Sequence, residues 1–329
     1  MRIAVDVGHS TVKAWSAGNR HVIFPARIVT APVTMDLGQL GSGADAAFVM
    51  AEDGGPSATY WVGDRAVMLA APLWSRDKAG DPLSRALAYA ALARMDMPDG
   101  PVGLGLGLPL AWFRDGHEPL RAAYLNRRVT VVHHDRVHRW TVAAVRVFPQ
   151  GAAAALGAFR RGSMQEPGLY VVIDVGYRTT EHVVVQVREG RLSGRAEWSG
   201  MLDAGWSHVD EDAARRLSDE YGVTVSAASL EGNDTVVYGH TVDLGPYRQP
   251  GLVALAARIS QTVQAHLGDE WTRLRGVLVI GGAADAIAPR LGWSPLPVHV
   301  PAHPVFGNVQ GYWDGIESMP VPPVSAVRS

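Results

Sequence analysis

Ile3-Ala4-Val5-Asp6-Val7-Gly8-His9-Ser10-Thr11-Val12-Lys13 decides the fold: an apolar strand breaks at an acid and a glycine into a polar turn. A second copy lies far downstream. Val171-Val172-Ile173-Asp174-Val175-Gly176-Tyr177-Arg178-Thr179-Thr180-Glu181 repeats the apolar run, the Asp-Val-Gly and the threonine five positions after the acid. Backbone amides at a tight glycine turn form an anion-binding concavity, and two such turns facing each other can grip the phosphates of one nucleotide. The first copy continues as Val12-Lys13-Ala14-Trp15, which reads as strand. That excludes a P-loop or a Rossmann unit, both of which need a helix straight after the glycine turn.

The chain has 329 residues, 47% of them hydrophobic, with 36 Gly and 21 Pro, so two domains are expected. A formal charge of -2 removes the compositional case for direct nucleic-acid binding, which needs a basic face. The absence of cysteine excludes disulfides, thiol catalysis and zinc-cysteine sites. The opening strand leaves no basic-then-apolar leader and no run approaches a membrane span, so a soluble, cytoplasmic chain is expected, with no membrane partner. Lysine stands only at Lys13 and Lys78, the other basic residues being arginine. A lysine inside the opening motif is therefore notable.

Outward from the first hairpin, Ile3–Val7, Val12–Ser16 and His21–Phe24 read as a β-meander. Ala47–Met50 and Thr59–Val62 flank a hairpin turn at Glu52-Asp53-Gly54-Gly55-Pro56. Leu83–Arg94 carries helical spacing after Asp81-Pro82, and Val102–Leu108 is a glycine-interleaved strand. Val129–Val132 and Arg139–Arg146 pair around His133-His134-Asp135-Arg136, and Ala152–Phe159 is an alanine-rich helix. The second half mirrors the first, with strands at 169–175, 181–187 and 191–198. Helices follow at 205–221 and 252–267, then the strand before Gly281-Gly282. A short helix at 306–313 precedes a Pro- and Val-rich tail expected to fray.

Asp6-Val7-Gly8 with Ser10-Thr11 and Lys13, Tyr60-Trp61-Val62-Gly63-Asp64 with Ala66, Gly105-Leu106-Gly107-Leu108-Pro109-Leu110, Val147-Phe148-Pro149-Gln150-Gly151, Ile173 to Glu181, and Val277–Ala283 occur in that order. Their order resembles the actin-like ATPase superfamily, and within it bacterial and archaeal ParM-type segregation actins, over most of the chain. The resemblance implies an α/β fold of duplicated actin-like (ribonuclease-H-like) domains with a nucleotide cleft between them. Residues 1–153, with 309–329 packing back, would form domain I, and 154–308 domain II. It implies ATP or ADP with Mg²⁺ as cofactors, GTP staying open, and Asp6 and Asp174 addressing the metal largely through water. Gly8, His9, Ser10, Thr11 and Lys13, with Gly176, Tyr177, Arg178 and Thr179, would surround the phosphates. Gln150 stands where the family keeps a Glu or Gln that orients the attacking water. Gly281, Gly282 and Ala283 approach adenosine, and Asp210 and Glu211 match by position a contact to ribose or purine.

The second hairpin departs from the family in carrying Tyr177-Arg178 where a small residue often follows the glycine, and Glu181 where an Asp is common. Arg178 reads equally as a phosphate contact or a solvent-facing side chain. An amide at position 150 positions water but is a poor base, so hydrolysis to ADP and phosphate should be slow. The resemblance further implies self-association into filaments and the positioning of DNA, typically a plasmid, through a separate DNA-binding adaptor. Two alternatives are a small-molecule kinase of the same superfamily, for which no catalytic Asp or sugar-binding segment is found, and a nucleotide-switched binding module that never polymerises. His133, His134 and His138 suggest a transition-metal site less well than a solvated hairpin, since neighbours on a strand point to opposite faces. The arginines at 121, 127, 128, 136 and 139 read as a solvated face or a partner contact. Trp74, Trp112 and Trp313 read as core or cleft residues, a few tryptophans being candidate interprotomer anchors.

Overall fold

The structure, a computed structural model, describes residues 1–31, 47–67, 69–70 and 77–323. Trp74 and the tail residues 324–329 lie outside the described residues. The chain divides into two compact units, Met1–Gly157 with Asn308–Ser329, and Ala158–Gly307.

The first unit holds strands β1 (Arg2–Val7), β2 (Thr11–Ser16), β3 (Arg20–Pro25), β4 (Ile28–Thr30), β5 (Phe48–Glu52), β6 (Ala58–Val62), β7 (Gly100–Leu108), β8 (Arg128–His133) and β9 (Arg136–Pro149). They form one sheet in the order β3-β2-β1-β7-β9-β8-β5-β6-β4. Its helices are the single turn α1 (Asp64–Val67), α2 (Pro82–Arg94) and α3 (Leu110–Tyr124), and α4 (Ala152–Arg160) leads out of it. The second unit holds β10 (Gly168–Val175), β11 (Thr180–Arg188), β12 (Arg191–Leu202), a separate ribbon of β13 (Asp234–Val237) and β14 (His240–Asp243), and β15 (Leu274–Ile280) with β16 (Val298–His299). Its main sheet runs β12-β11-β10-β15-β16. Helices α5 (Trp206–Tyr221), α6 (Gly245–Leu267) and α7 (Ala284–Ile287) complete it, and α8 (Gly307–Ile316) returns to the first unit.

The two sheets share a plan. In each, an antiparallel meander (β1-β2-β3 or β10-β11-β12) adds two parallel strands beside its first member, β7 and β9 or β15 and β16. The innermost strands are apolar throughout because parallel neighbours are covered on both faces.

β7 explains its own glycines. Val102, Leu104, Leu106 and Leu108 face the core that includes α2, while Gly103, Gly105 and Gly107 fall on the opposite face by the period of two. A Cβ at 105 would lie 3.1 Å from Ile316, and one at 107 would lie 1.9 Å from the Tyr312 hydroxyl. The glycine stripe is the bed on which α8 lies. Gly311 of α8 fits as closely, its absent Cβ falling 2.0 Å from the Ala153 carbonyl.

Several elements depart from the sequence reading. Helix α3 was not expected, because Gly116 and Pro119 interrupt its pattern; it begins directly after Pro109. Helix α6 starts at Gly245, before Leu252, with Pro246 in its first turn and Pro250 inside it. The histidine hairpin is not fully solvated: His133 and His138 are buried, stacking on Phe48 and Trp140, while His134 at the tip is exposed. Alternation along β8 and along β9 puts these two rings inward. Among the described residues no group of three His, Cys, Asp or Glu side chains could hold a metal ion.

In the second unit, Leu252, Leu255, Ala256, Ile259 and Val263 of α6 pack with Val171 and Ile173 of β10. Within this layer His182 of β11 is buried, its Nε2 2.7 Å from His266 Nδ1 on α6. Burial, aided by His266, pushes the His182 imidazole down to about 4. Unfolding releases it to its ordinary value near 6.5, so the unfolded chain binds a proton that the folded chain refuses between those values. Stability is then intact above pH 6.5 and falls as pH drops toward 4, by up to about 3 kcal/mol from this residue. Chemical denaturation at pH 7 and pH 4.5 should show the loss, and His182→Gln should reduce it. In the first unit, Gly107→Val should cost several kcal/mol by driving side-chain atoms into Tyr312. Tyr312→Ala combined with it should recover part of that loss in a thermal melt.

Candidate functional site

β1 and β2 pair with Asp6 opposite Lys13 and Val7 opposite Val12. The Gly8 amide donates to the Thr11 carbonyl at 3.1 Å, and a Cβ on residue 8 would lie 2.9 Å from that oxygen, so the turn closes tightly only on glycine. Asp6 is buried. Its Oδ2 lies 3.6 Å from Lys13 Nζ, and its Oδ1 accepts from Gln150 Nε2 at 3.0 Å. Gln150 sits one residue past β9, its amide bonded to the Leu108 carbonyl at 2.8 Å. Gly151, at φ +69°, donates to Asn308 Oδ1 at 2.7 Å. Strand ends thus bring Asp6, Lys13 and Gln150 together, with His9, Ser10 and Thr11 half-buried in the turn between β1 and β2. Lys78, which the sequence reading noted only for its rarity, is buried and donates to the Val7 carbonyl at 2.8 Å. Both lysines of the chain converge on this hairpin, so rarity was the signal that could have found the second.

The second hairpin repeats the device. Asp174 stands opposite Glu181 and Val175 opposite Thr180. The Gly176 amide donates to the Thr179 carbonyl at 3.0 Å, and a Cβ on Gly176 would lie 3.0 Å from the same oxygen. Helix α5 seats this turn: the Trp206 amide donates to the Gly176 carbonyl at 3.1 Å and Ser207 to the Tyr177 carbonyl at 2.7 Å. Gly205 permits the approach, since its Cβ would lie 2.6 Å from the Gly176 carbonyl. Arg178 is exposed and Thr179 half-buried. The Thr180 hydroxyl donates to the Ala204 carbonyl at 2.8 Å and is buried.

The double glycine after β15 separates into distinct roles. Gly281 has φ +94°, and its missing Cβ would lie 2.4 Å from the Val175 carbonyl and 2.6 Å from Asp174 Oδ1, so this turn leans on the second hairpin beside its acid. Gly282 faces open space, while Ala283 is packed in the core.

A pocket of about 690 Å³ opens beside this hairpin, lined by Tyr177, Trp206, Asp210, Asn233, Arg248 and Arg290 among others. That volume suits a nucleoside-sized molecule. Arg248 forms its frame: Nε donates to Asp210 Oδ1 at 2.8 Å, Nη2 to the Leu230 carbonyl at 2.9 Å, and the guanidinium lies 5.3 Å from the Trp206 ring centroid. Burial pushes the Asp210 carboxyl up, against the pull of Arg248. Asp210 therefore lines the pocket while pairing with Arg248. Glu211, next on α5, is exposed and absent from the lining, because consecutive helix residues point about 100° apart. Arg290 is held against Gln249 Oε1 at 2.6 Å. Arg248 was missed because it lies 38 residues from its partner, inside a helix whose start the sequence hid. The walls combine an indole, a phenol and two guanidiniums, which suits stacking on a flat base.

Two family profiles match the chain in succession. Actin like proteins N terminal domain spans residues 4–152, and Archaeal actin homologue MreB-like, C-terminal, spans residues 172–292. An archaeal actin homolog of Thermoplasma volcanium is 26% identical over 328 residues, covering 96% of this chain and 98% of the relative. The crystal structure of an archaeal actin homolog in complex with ADP superposes with a TM-score of 0.80 at 25% identity, covering 96% of this chain and 99% of that one. A protomer of a 15-stranded ParM filament from Clostridium botulinum superposes with a TM-score of 0.82 at 18% identity, covering 97% and 99%. With its duplicated sheet plan and both profiles in order, the chain belongs to the actin-like superfamily.

Proposed function

We propose that this chain is a nucleotide-dependent, filament-forming ATPase that hydrolyses ATP slowly to ADP and phosphate. The observation that carries the reading is the twice-built turn, in which a glycine amide closes on a threonine carbonyl beside a strand-end aspartate. The ADP bound by a relative covering 99% of its length supports the choice of nucleotide. In this reading each unit is one of the two duplicated domains and supplies one phosphate turn. The pocket framed by Arg248 and Trp206 takes the nucleoside, and Gly282 leaves room for its approach.

In this reading the metal is a hydrated Mg²⁺, which keeps most of its waters and needs only one or two carboxylates rather than a closed cage. Asp6 and Asp174 would hold it through water, and when bound it would neutralise charge on the phosphate oxygens. Lys13 adds a point charge beside the first turn while its ion pair holds the Asp6 side chain in place. The Gln150 amide, by donating Nε2 to Asp6, turns its Oε1 away as a free acceptor that orients a water for attack. An amide takes up no proton, which keeps turnover slow. The cellular task that fits the family resemblance is positioning DNA, such as a plasmid, through a separate DNA-binding adaptor. A cytoplasmic setting accords with this, and among the described residues no helix is long and apolar enough to cross a membrane.

Sedimentation of purified protein with ATP, with ADP and without nucleotide tests the reading. Polymer is expected with ATP at micromolar protein, and its absence in every condition overturns filament formation. Gln150→Ala should bind nucleotide normally and release phosphate at least tenfold more slowly; unchanged turnover removes Gln150 from the mechanism. Asp174→Ala should weaken Mg²⁺-dependent binding or turnover. Arg248→Met leaves Asp210 buried without its cation, a change that costs about 3–5 kcal/mol in comparable pairs. It should lower both the melting temperature and nucleotide affinity, read by calorimetry.

A further inference from the structure

The β13–β14 ribbon is a two-stranded sheet with a buried side and an open side. Val237 and Val242 point into a small core with Leu217, Leu230 and Leu244. The alternating positions point out, and there Val236 is 68% exposed and Tyr238 73% exposed. A solvent face usually takes polar residues at such places. Tyr238 also holds φ +49° ahead of Gly239 at φ +81°. This is the two-residue turn that favours Asn-Gly, and a bulky side chain there is uncommon. The ribbon therefore presents an aromatic knob on a short, fixed stalk.

We infer that this knob seats in a second copy of the chain, in the basic pocket of its first unit. The inference rests on the filament reading above. On the outer face Asp234 stands directly opposite Asp243, with Glu231 nearby in the chain. A two-fold contact between identical ribbons would set these carboxylates against each other. A contact joining two different surfaces avoids this, and a contact of that kind repeats without closing into a dimer. The complementary surface is a pocket of about 570 Å³ lined by Val22, Ile23, Arg94, Arg136, His134 and His138 among others. Ile23, 45% exposed, supplies an apolar wall, and the lining holds two guanidiniums, Arg94 and Arg136, and one carboxylate, Asp96. Arg136 pairs with Asp96, and Arg94 lies 4.4 Å from the Phe24 ring centroid, so the cations are held in place before any partner arrives. An acidic ribbon with an apolar tip matches a basic pocket with an apolar wall in both charge and surface, and this pairing gives the arginine-rich β8–β9 hairpin a use.

The chain has no cysteine, which makes the contact testable by cross-linking. A double variant carrying Tyr238→Cys and Ile23→Cys, oxidised at micromolar concentration with ATP and with ADP, should give a ladder beyond the dimer. Either single variant should stay uncrosslinked. In parallel, Val236→Thr with Tyr238→Asn keeps strand and turn preferences, so the melting temperature and ATP affinity should hold while the critical concentration for pelleting rises at least tenfold. Dimers alone, or wild-type pelleting by the Val236→Thr, Tyr238→Asn variant, overturn the contact. A ladder that ignores nucleotide keeps the contact and overturns the ATP-dependent reading. Neither ladder nor wild-type polymer overturns both.

Discussion

A glycine amide bonded to a threonine carbonyl three residues later is the constraint on which both halves of this protein depend. The bond turns a strand back on itself within a short loop. The same turn fixes register, because Asp6 can face Lys13 and Asp174 can face Glu181 only when the loop has this length. Everything around the hairpins serves to hold them. Gln150 and Lys78 bond to the first, and the amides that open α5 bond to the second.

Close backbone approach recurs as the means of support. Gly205 lets α5 touch the second turn, Gly281 lets the double-glycine turn rest beside Asp174, and the stripe on β7 lets α8 lie flat against the sheet. In each case the missing Cβ is the contact. A side chain would hold these elements several ångströms apart, and the amides and carboxylates they position would no longer converge.

The sequence reading reached the sheet plan and the hairpins because period-two apolar runs and an Asp-x-Gly turn are local signals. It also placed Gln150 at a strand end, where the structure bonds it to Asp6. It failed where position depends on a distant partner. Asp210 and Glu211 looked equivalent on a helix, yet one meets Arg248 and the other meets solvent. Helix α3 hid behind Pro119, and the β13–β14 ribbon was too short to register as a hairpin. His133 and His138 were judged by their place at a tip, whereas His133 is covered by Phe48 arriving from β5 and His138 stacks on Trp140 two residues along β9.

The two lysines give the first hairpin a chemical distinction as well as a positional one. Apart from the chain's own amino terminus, every primary amine lies at one turn, Lys13 on Asp6 and Lys78 on the Val7 carbonyl. The rest of the cationic surface is arginine, which does not react as an amine. Acylation, or any other lysine-directed chemistry, is thereby focused on the first hairpin, and its extent becomes a direct gauge of how far that turn is shielded.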